Sequence, residues 1–160
     1  NAEVIMLFAR DPQLKSLFKS LQEVGHTKVT VVGSNVVRNA NTAAAQIPVE
    51  ALYATATAID PQEFHNGRQF LEAFESKFKE RPLWGAHYSY DAVHALAGAA
   101  ASAETVEPAK LVQWLKTKEL RTRVNHQMRF DGNGEQYYAS IAVYKAERGV
   151  WQLQMRSSQW

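Results

Sequence analysis

A strand–helix–strand pattern at the start of the chain most strongly limits how the chain can fold. Residues 4–8 form an unbroken apolar run, which is typical of a strand buried on both faces of a parallel sheet. Asp11 and Pro12 then predict the start of a helix, with Asp11 as its N-cap and Pro12 at its first helical position. Residues 29–32 predict the next strand. Together these features predict a parallel α/β sheet.

The predicted helix has one apolar face that can cover this sheet. Its apolar residues recur three or four positions apart, as expected when one stripe of a helix faces a core. They are Leu14, Leu17, Phe18, Leu21 and Val24. Gly25 can adopt the left-handed conformation that ends many helices, so we expect the helix to stop there.

Strands and helices continue to alternate along the middle of the chain. Residues 33–46 are rich in Ser, Asn and Ala and predict a loop with a short helix, and residues 51–57 predict a third strand. Asp60 and Pro61 predict the start of a long helix, which Pro82 ends. Two further helices are expected, an Ala-rich one near residues 88–103 and another that begins at Glu107 and Pro108.

An antiparallel ribbon is predicted near the C-terminus. Gly132, Asn133 and Gly134 tolerate the positive φ angles of a tight hairpin turn, and residues 137–144 predict the strand that follows. Strands mixed with helices in this order predict an α/β domain, with the antiparallel ribbon at an edge or lobe boundary.

Composition and charge exclude several classes of protein. The 160 residues suffice for one well-buried domain and are too few for two large independent ones. The net charge is +2 and the Lys and Arg residues are scattered, whereas a nucleic-acid-binding protein would carry a basic face. No apolar run approaches the ~20 residues that span a bilayer. We therefore expect no nucleic-acid partner and no membrane span.

Familiar catalytic and metal-binding motifs are absent from the sequence. The chain has no Cys, its five His residues form no HExxH motif, and it contains neither a GxSxG elbow nor a phosphate-binding P-loop. Asp131, Asn133 and Glu135 alternate as in a calcium loop, but Gln136 stands where that loop needs Gly and Ala142 where it needs Glu. We expect no catalytic residues, no metal and no cofactor.

Polar residues follow the first two predicted strands and are candidates for ligand binding. Ligands of open α/β sheets bind outside the carboxyl ends of the strands, where Arg10 and Asp11 follow the first strand and Ser34 and Asn35 the second. Arg10 offers a fork for a carboxylate, and Ser34 and Asn35 offer neutral donors and acceptors. Each could equally be a solvated loop residue or a turn cap. Tyr88 could line a cleft or pack in a core.

The order of these motifs resembles the C-terminal half of a type I periplasmic binding protein. The similar group is the branched-chain amino-acid (Leu/Ile/Val-binding) receptors of ABC transporters. The most specific pieces are Tyr-Asp-Ala-Val at residues 90–93 and Phe-Asp-Gly-Asn-Gly at residues 130–134, taken in this order. The resemblance covers nearly the whole chain.

The resemblance implies a receptor with two α/β lobes that close on a small solute like a hinged clamp. Residues 1–58 would belong to the second lobe, residues 59–120 would be helices that return to the first lobe, and residues 121–160 would rejoin the second lobe as a β-meander. The chain would then be part of a longer receptor, without its signal peptide and N-terminal part.

The implied function is capture of an amino acid or related small carboxylate in the bacterial periplasm, with an ABC-transporter permease as partner. In the family, an aromatic position falls at Arg10 or Asp11, and the acidic residue that pairs with the substrate's ammonium falls at about Asn35. Because both positions depart from the family pattern, we expect an acidic or aromatic-acid solute. Arg10→Ala should then abolish the binding of carboxylates.

Two other functions fit the same sequence. A ligand-sensing regulatory or receptor domain could use the same fold, and a fused membrane or DNA-binding segment would indicate it. An α/β enzyme of a flavodoxin-like or Rossmann-like class is the third possibility, and turnover of a small molecule would indicate that class.

Overall fold

The computed structural model describes two compact units of this chain. The first comprises residues 1–59 and 140–160, and the second comprises residues 60–139. Within them the structure describes residues 2–9, 11–39, 47–83, 85–125 and 127–157, without the side chains of Asp11 and Asn39. The assignment of chain segments to the two lobes of a receptor stays a prediction.

Strands and helices alternate at first, and strands dominate the C-terminal part. In chain order the elements are β1 (Val4–Leu7), α1 (Asp11–Glu23), β2 (Thr30–Gly33), α2 (Asn35–Asn39), β3 (Ala51–Ala56), a 3-10 turn (Pro61–Glu63), α3 (Gly67–Phe78), α4 (Ala86–Ser102), α5 (Pro108–Thr117), β4 (Leu120–Arg121), β5 (Gln127–Met128), β6 (Ala142–Glu147) and β7 (Val150–Arg156).

A mixed five-stranded sheet forms the centre of the first unit. Its strand order is β1-β2-β3-β6-β7. The first three strands are parallel, whereas β6 pairs antiparallel with both β3 and β7. The first half of the chain therefore supplies the parallel strands and the C-terminal segment supplies the antiparallel ones, as the sequence predicts.

The core of the first unit lies between α1 and one face of the sheet. Leu14, Phe18 and Leu21 of α1 are buried there with Val31 and Leu52. This confirms the apolar stripe that the sequence predicts for α1.

The end of α1 matches the prediction at Gly25 and departs from it at Val24. Gly25 has a positive φ of 69°, which glycine adopts without steric cost. Val24 lies just beyond the last helical residue and is exposed, so its place in the buried stripe was predicted wrongly.

One face of β1 is not buried, contrary to the sequence prediction. Ile5 and Leu7 pack against the core, but Met6 on the opposite face is 69% exposed. The reason is that α1 covers only one face of β1, which is an edge strand of the sheet described by the structure. An unbroken apolar run does not distinguish an edge strand from a central one.

The predicted long helix after Asp60 is interrupted near its start. Asp60 does accept a hydrogen bond from the Gln62 backbone N–H at 3.2 Å, and Pro61 follows at the first helical position. Only a 3-10 turn forms, because Phe64 has the extended angles φ −105° and ψ 148°. The α-helix begins at Gly67.

The glycine turn near residue 133 does not belong to the C-terminal hairpin of the sheet. It lies in the second unit, where an isolated bridge pairs Phe130 with Gln136, and residues 137–141 are not in a strand. The hairpin of the sheet is β6–β7, whose turn residues Arg148 and Gly149 have φ angles of 51° and 81°. Two consecutive positive φ angles are what a tight two-residue hairpin turn requires. The antiparallel C-terminal segment is thus confirmed, but its turn is a different one.

Candidate functional site

The carboxyl ends of the three parallel strands meet at one edge of the first unit. Leu7 of β1 lies beside Gly33 of β2, which in turn lies beside Ala54 of β3. The Ser34 N–H donates to the Leu7 carbonyl at 3.2 Å, which joins the two strand ends directly. Segments that follow β1 and β2 therefore leave the sheet at the same place, the position where open α/β sheets bind ligands.

A close approach of α2 to β2 fixes the segment that contains Ser34 and Asn35. A Cβ atom built on Gly33 would lie only 2.4 Å from a methyl group of Val37, which is fully buried. The Val37 N–H also donates to the Ser34 carbonyl at 3.0 Å, and the Thr55 hydroxyl donates to the Gly33 carbonyl at 3.4 Å. The strand-to-helix turn is therefore held from both sides, and glycine is required at position 33.

The structure places the described candidates Ser34 and Asn35 in the first unit and Tyr88 in the second. Ser34 and Asn35 are half-buried at the strand edge, and Asn35 begins α2. Asp11 begins α1, whereas its side chain and all of Arg10 lie outside the described part of the chain. Tyr88 is half-buried in α4 of the second unit, with its ring centroid 4.2 Å from that of His87. The binding role of all five residues stays a prediction.

Phe8 is an additional candidate that the sequence reasoning missed. It follows the last residue of β1, at the same edge as Ser34, and is 80% exposed. The sequence pattern placed Phe8 inside a buried strand, although the polar Arg10 two residues later was a signal that the strand was ending. An exposed aromatic ring at this edge offers an apolar surface for stacking on a ligand.

The chemistry of this edge suits reversible binding. It combines a hydroxyl, an amide and an exposed aromatic ring, which can hold a small molecule by hydrogen bonds and apolar contact. Within the described ranges, no three His, Asp or Glu side chains lie close enough together to hold a metal ion. No helix in the described part of the chain is long and apolar enough to cross a membrane.

The second unit contains a cavity of its own. The cavity has a volume of about 520 Å³ and is bordered by α3, α4 and residues 123–124. Tyr90 lines it, and Tyr88 is not among its described lining residues.

A hydrogen-bonded carboxylate on the surface of the second unit raises the pKa of Tyr138. The Tyr138 hydroxyl donates to Glu119 at 3.1 Å, and this bond is the largest cause of the rise above the usual value of 10.0.

We expect Glu119→Gln to move the pKa of Tyr138 back towards 10.0, which ultraviolet absorbance titration against a Tyr138→Phe reference can resolve. The bond's contribution to stability should be complete below pH 10 and should disappear as the pH rises through the raised pKa. An unchanged titration in Glu119→Gln would contradict this assignment.

Comparison with known proteins identifies the family of this fold. The family model for periplasmic binding proteins matches residues 1–150. A protein of Pseudomonas aeruginosa described as an amino acid binding protein is 29% identical over 147 residues, which are 91% of this chain and 38% of that protein.

Solved structures of solute-binding proteins share the fold at low sequence identity. A branched-chain amino-acid ABC transporter ligand-binding protein of Burkholderia xenovorans has a TM-score of 0.78 at 15% identity, covering 97% of this chain and 44% of that one. A leucine-binding protein of Thermotoga maritima has a TM-score of 0.73 at 18% identity, and the match covers 96% of this chain and 44% of that one. A solute-binding protein of R. palustris in complex with benzoate has a TM-score of 0.69 at 12% identity, and the match covers 96% of this chain and 42% of that one.

These matches confirm the α/β fold class and the resemblance that the sequence motifs carry. The chain spans less than half the length of each of these four relatives. Since the family model covers residues 1–150 of the 160, the chain belongs to the periplasmic binding protein family.

Proposed function

We propose that this protein captures a small carboxylate for an ABC transporter of the periplasm and catalyses no reaction. The observation that carries the proposal is the strand edge at which the Ser34 N–H donates to Leu7 at the end of β1. The exposed Phe8 follows Leu7 in the chain, and Asn35 follows Ser34. Ligands of α/β sheets bind at such an edge. The relatives are binding proteins, two of them described as parts of ABC transporters, which supports a permease as the partner and the periplasm as the location.

The residues at this edge favour an aromatic or acidic carboxylate over an amino acid. An α-amino group carries a positive charge, which a carboxylate would neutralise, but Ser34 and Asn35 offer only neutral groups. Phe8 can stack on an aromatic ring, and Arg10 follows it in the sequence as a partner for a carboxylate. The relative solved with benzoate shows that this fold can accept such a ligand.

A thermal-shift comparison of paired ligands tests this proposal. Benzoate and 3,4-dihydroxybenzoate should raise the melting temperature, whereas benzamide, which lacks the negative charge, should not. A ligand at 100 times its Kd stabilises the folded chain by about 2.7 kcal/mol, which is easily measured. Leucine should stabilise less than benzoate, because no acidic residue stands at positions 34 and 35.

The role of Arg10 can be tested with matched variants. Arg10→Ala should remove the stabilisation by benzoate, and Arg10→Lys should keep part of it, because lysine retains the charge but loses the two-pronged geometry. Lys28→Ala is the control, since this exposed cation precedes β2, at the opposite end of the strand from Ser34. Equal benzoate stabilisation in Arg10→Ala and the parent chain would show that Arg10 is not a ligand-binding residue. If no carboxylate stabilises the parent chain, the proposed function of this chain is wrong.

A further inference from the structure

Asparagine followed by glycine is a dipeptide in which the asparagine side chain loses its amide readily. The backbone nitrogen of the second residue attacks the side-chain carbonyl carbon of the asparagine, and glycine has no side chain to block that attack or to restrict the backbone rotation it needs. The sequence contains two such pairs, Asn66 with Gly67 and Asn133 with Gly134. Both pairs lie in the second unit. Their intrinsic chemistry is the same, so the local structure decides which pair can react.

The surroundings of Asn66 oppose this reaction. Gly67 is buried at the start of α3, and its N–H donates to the Phe64 carbonyl at 2.9 Å. The side-chain amide of Asn66 donates to the Arg123 carbonyl at 3.0 Å. A Cβ atom built on Gly67 would lie 1.5 Å from the Pro61 carbonyl oxygen, so the backbone has no room to rotate. Attack on Asn66 would therefore require the start of α3 to open.

The surroundings of Asn133 permit the reaction. Gly132, Asn133 and Gly134 are all exposed. Among the described atoms, a Cβ built on Gly132 would meet nothing within 4 Å, and one built on Gly134 would meet only a side-chain carbon of Lys116, at 4.0 Å. No hydrogen bond within the described ranges holds the side-chain amide of Asn133. The Gly134 N–H donates to the Asp131 carbonyl at 3.1 Å, but water can replace this bond on an exposed turn.

A cation beside the turn favours the charge that the attack creates. The Gly134 nitrogen must give up its proton to become a nucleophile, and it is then negatively charged. The carboxylates of Asp131 and Glu135 oppose this charge. The Lys116 ammonium donates to the Gly132 carbonyl at 2.6 Å, however, so a positive charge at the same turn offsets them.

We propose that Asn133 is a modification site at which the folded protein loses ammonia and forms aspartate and isoaspartate without an enzyme. The Gly134 nitrogen forms a bond to Cγ of Asn133 while the Cγ–Nδ2 bond breaks. The departing amide group takes up the proton that the Gly134 nitrogen has lost and leaves as ammonia. A five-membered succinimide ring remains in the main chain.

Water completes the modification by opening the succinimide ring. Cleavage of the bond between Gly134 nitrogen and Cγ gives aspartate at position 133. Cleavage of the bond between the same nitrogen and the backbone carbonyl carbon gives isoaspartate, in which the main chain runs through Cβ and Cγ. The reaction consumes one water molecule and needs no oxidant or reductant.

Both products change the charge of the turn, and isoaspartate also changes its backbone. A neutral amide becomes a carboxylate, so the formal net charge of the chain falls by one, from +2 to +1. Isoaspartate adds a carbon to the main chain between Asp131 and Glu135, whose backbone groups are joined by a hydrogen bond of 2.9 Å. The bridge between Phe130 and Gln136 lies directly outside this turn. The modification concerns the second unit and does not depend on the ligand of the first.

Comparison of the folded and unfolded chain tests the proposal. The 160-residue protein is incubated at mildly alkaline pH with and without guanidinium chloride, digested with trypsin and analysed by mass spectrometry over time. The tryptic peptide 130–145 contains Asn133 and no other asparagine. In the folded chain Asn133 should deamidate within about threefold of its rate in guanidinium chloride, because an exposed turn opens at little cost in free energy. Asn66 should deamidate about tenfold more slowly in the folded chain, because α3 must open first.

A second measurement identifies the product and its position. A methyltransferase specific for isoaspartate should label the aged parent protein and should label an equally aged Asn133→Gln variant much less, because glutamine would have to close a less favourable six-membered ring. Circular dichroism confirms that both proteins are folded during the incubation. The proposal is wrong if folding slows the reaction at Asn133 as much as at Asn66. Equal labelling of the parent and Asn133→Gln would also overturn it, because the isoaspartate would then lie elsewhere in the chain.

Discussion

Gly67→Ala is expected to lower the free energy of unfolding by about 3 kcal/mol or more. A Cβ atom built at position 67 would lie 1.5 Å from the carbonyl oxygen of Pro61 and 2.4 Å from its carbonyl carbon. Neither group can move easily, because the Gly67 N–H donates to the Phe64 carbonyl and the Pro61 carbonyl accepts from the Phe64 N–H. The added methyl group must therefore separate α3 from the preceding 3-10 turn.

Gly98→Ala is the matched control for this substitution. Gly98 lies within α4, and a Cβ atom there would meet nothing within 4 Å. Alanine at an open helical position should raise the free energy of unfolding by about 0.5–1 kcal/mol. Urea unfolding followed by circular dichroism measures both variants. A Gly67→Ala protein as stable as the parent chain would show that the turn and α3 can separate without cost.

Local chemistry explains which parts of the fold could be predicted. Pro12, the apolar stripe of α1 and Gly25 each act within a few residues, so β1, α1 and β2 could be assigned from the sequence. The strand edge with Ser34 and Asn35 could also be anticipated, because parallel strands place their carboxyl ends side by side. What the sequence supplied was the location of a candidate site, without the geometry inside it.

Features that depend on distant parts of the chain were missed or misplaced. β3 pairs with β6, which brings Ala54 beside Tyr144, and no local pattern specifies that pairing. The exposure of Phe8 depends on what covers the end of β1, and an apolar run cannot show this. The role of Asp91 could not be predicted from its neighbours in the sequence, because its hydrogen-bond partners lie 32–34 residues further along the chain.

Asp91→Ala is expected to destabilise the chain by about 3 kcal/mol or more. The Asp91 carboxylate is fully buried and accepts hydrogen bonds from three successive backbone N–H groups, those of Arg123, Val124 and Asn125, at 2.7–3.2 Å. The Asn125 side-chain amide adds another at 2.7 Å. Alanine would leave these donors without their acceptor, and the N–H of the buried Val124 would have no protein partner in its place. The loop that carries Arg123 would lose its anchor to α4.

Asp131→Ala separates the effect of burial from the loss of hydrogen bonds. Asp131 also accepts from backbone N–H groups, those of Asn133 and Glu135 at 2.8 Å and 2.9 Å, but on an exposed turn where water can replace it. Its removal should therefore cost only about 0.5–1 kcal/mol. The stability lost in Asp91→Asn should lie between those of the two alanine variants, because an amide keeps one acceptor oxygen and turns its NH2 group towards other donors. Urea unfolding of the three variants measures how much each one lowers the free energy of unfolding. If Asp91→Ala and Asp131→Ala lowered the free energy of unfolding equally, the buried carboxylate would not be what holds residues 123–125 to α4.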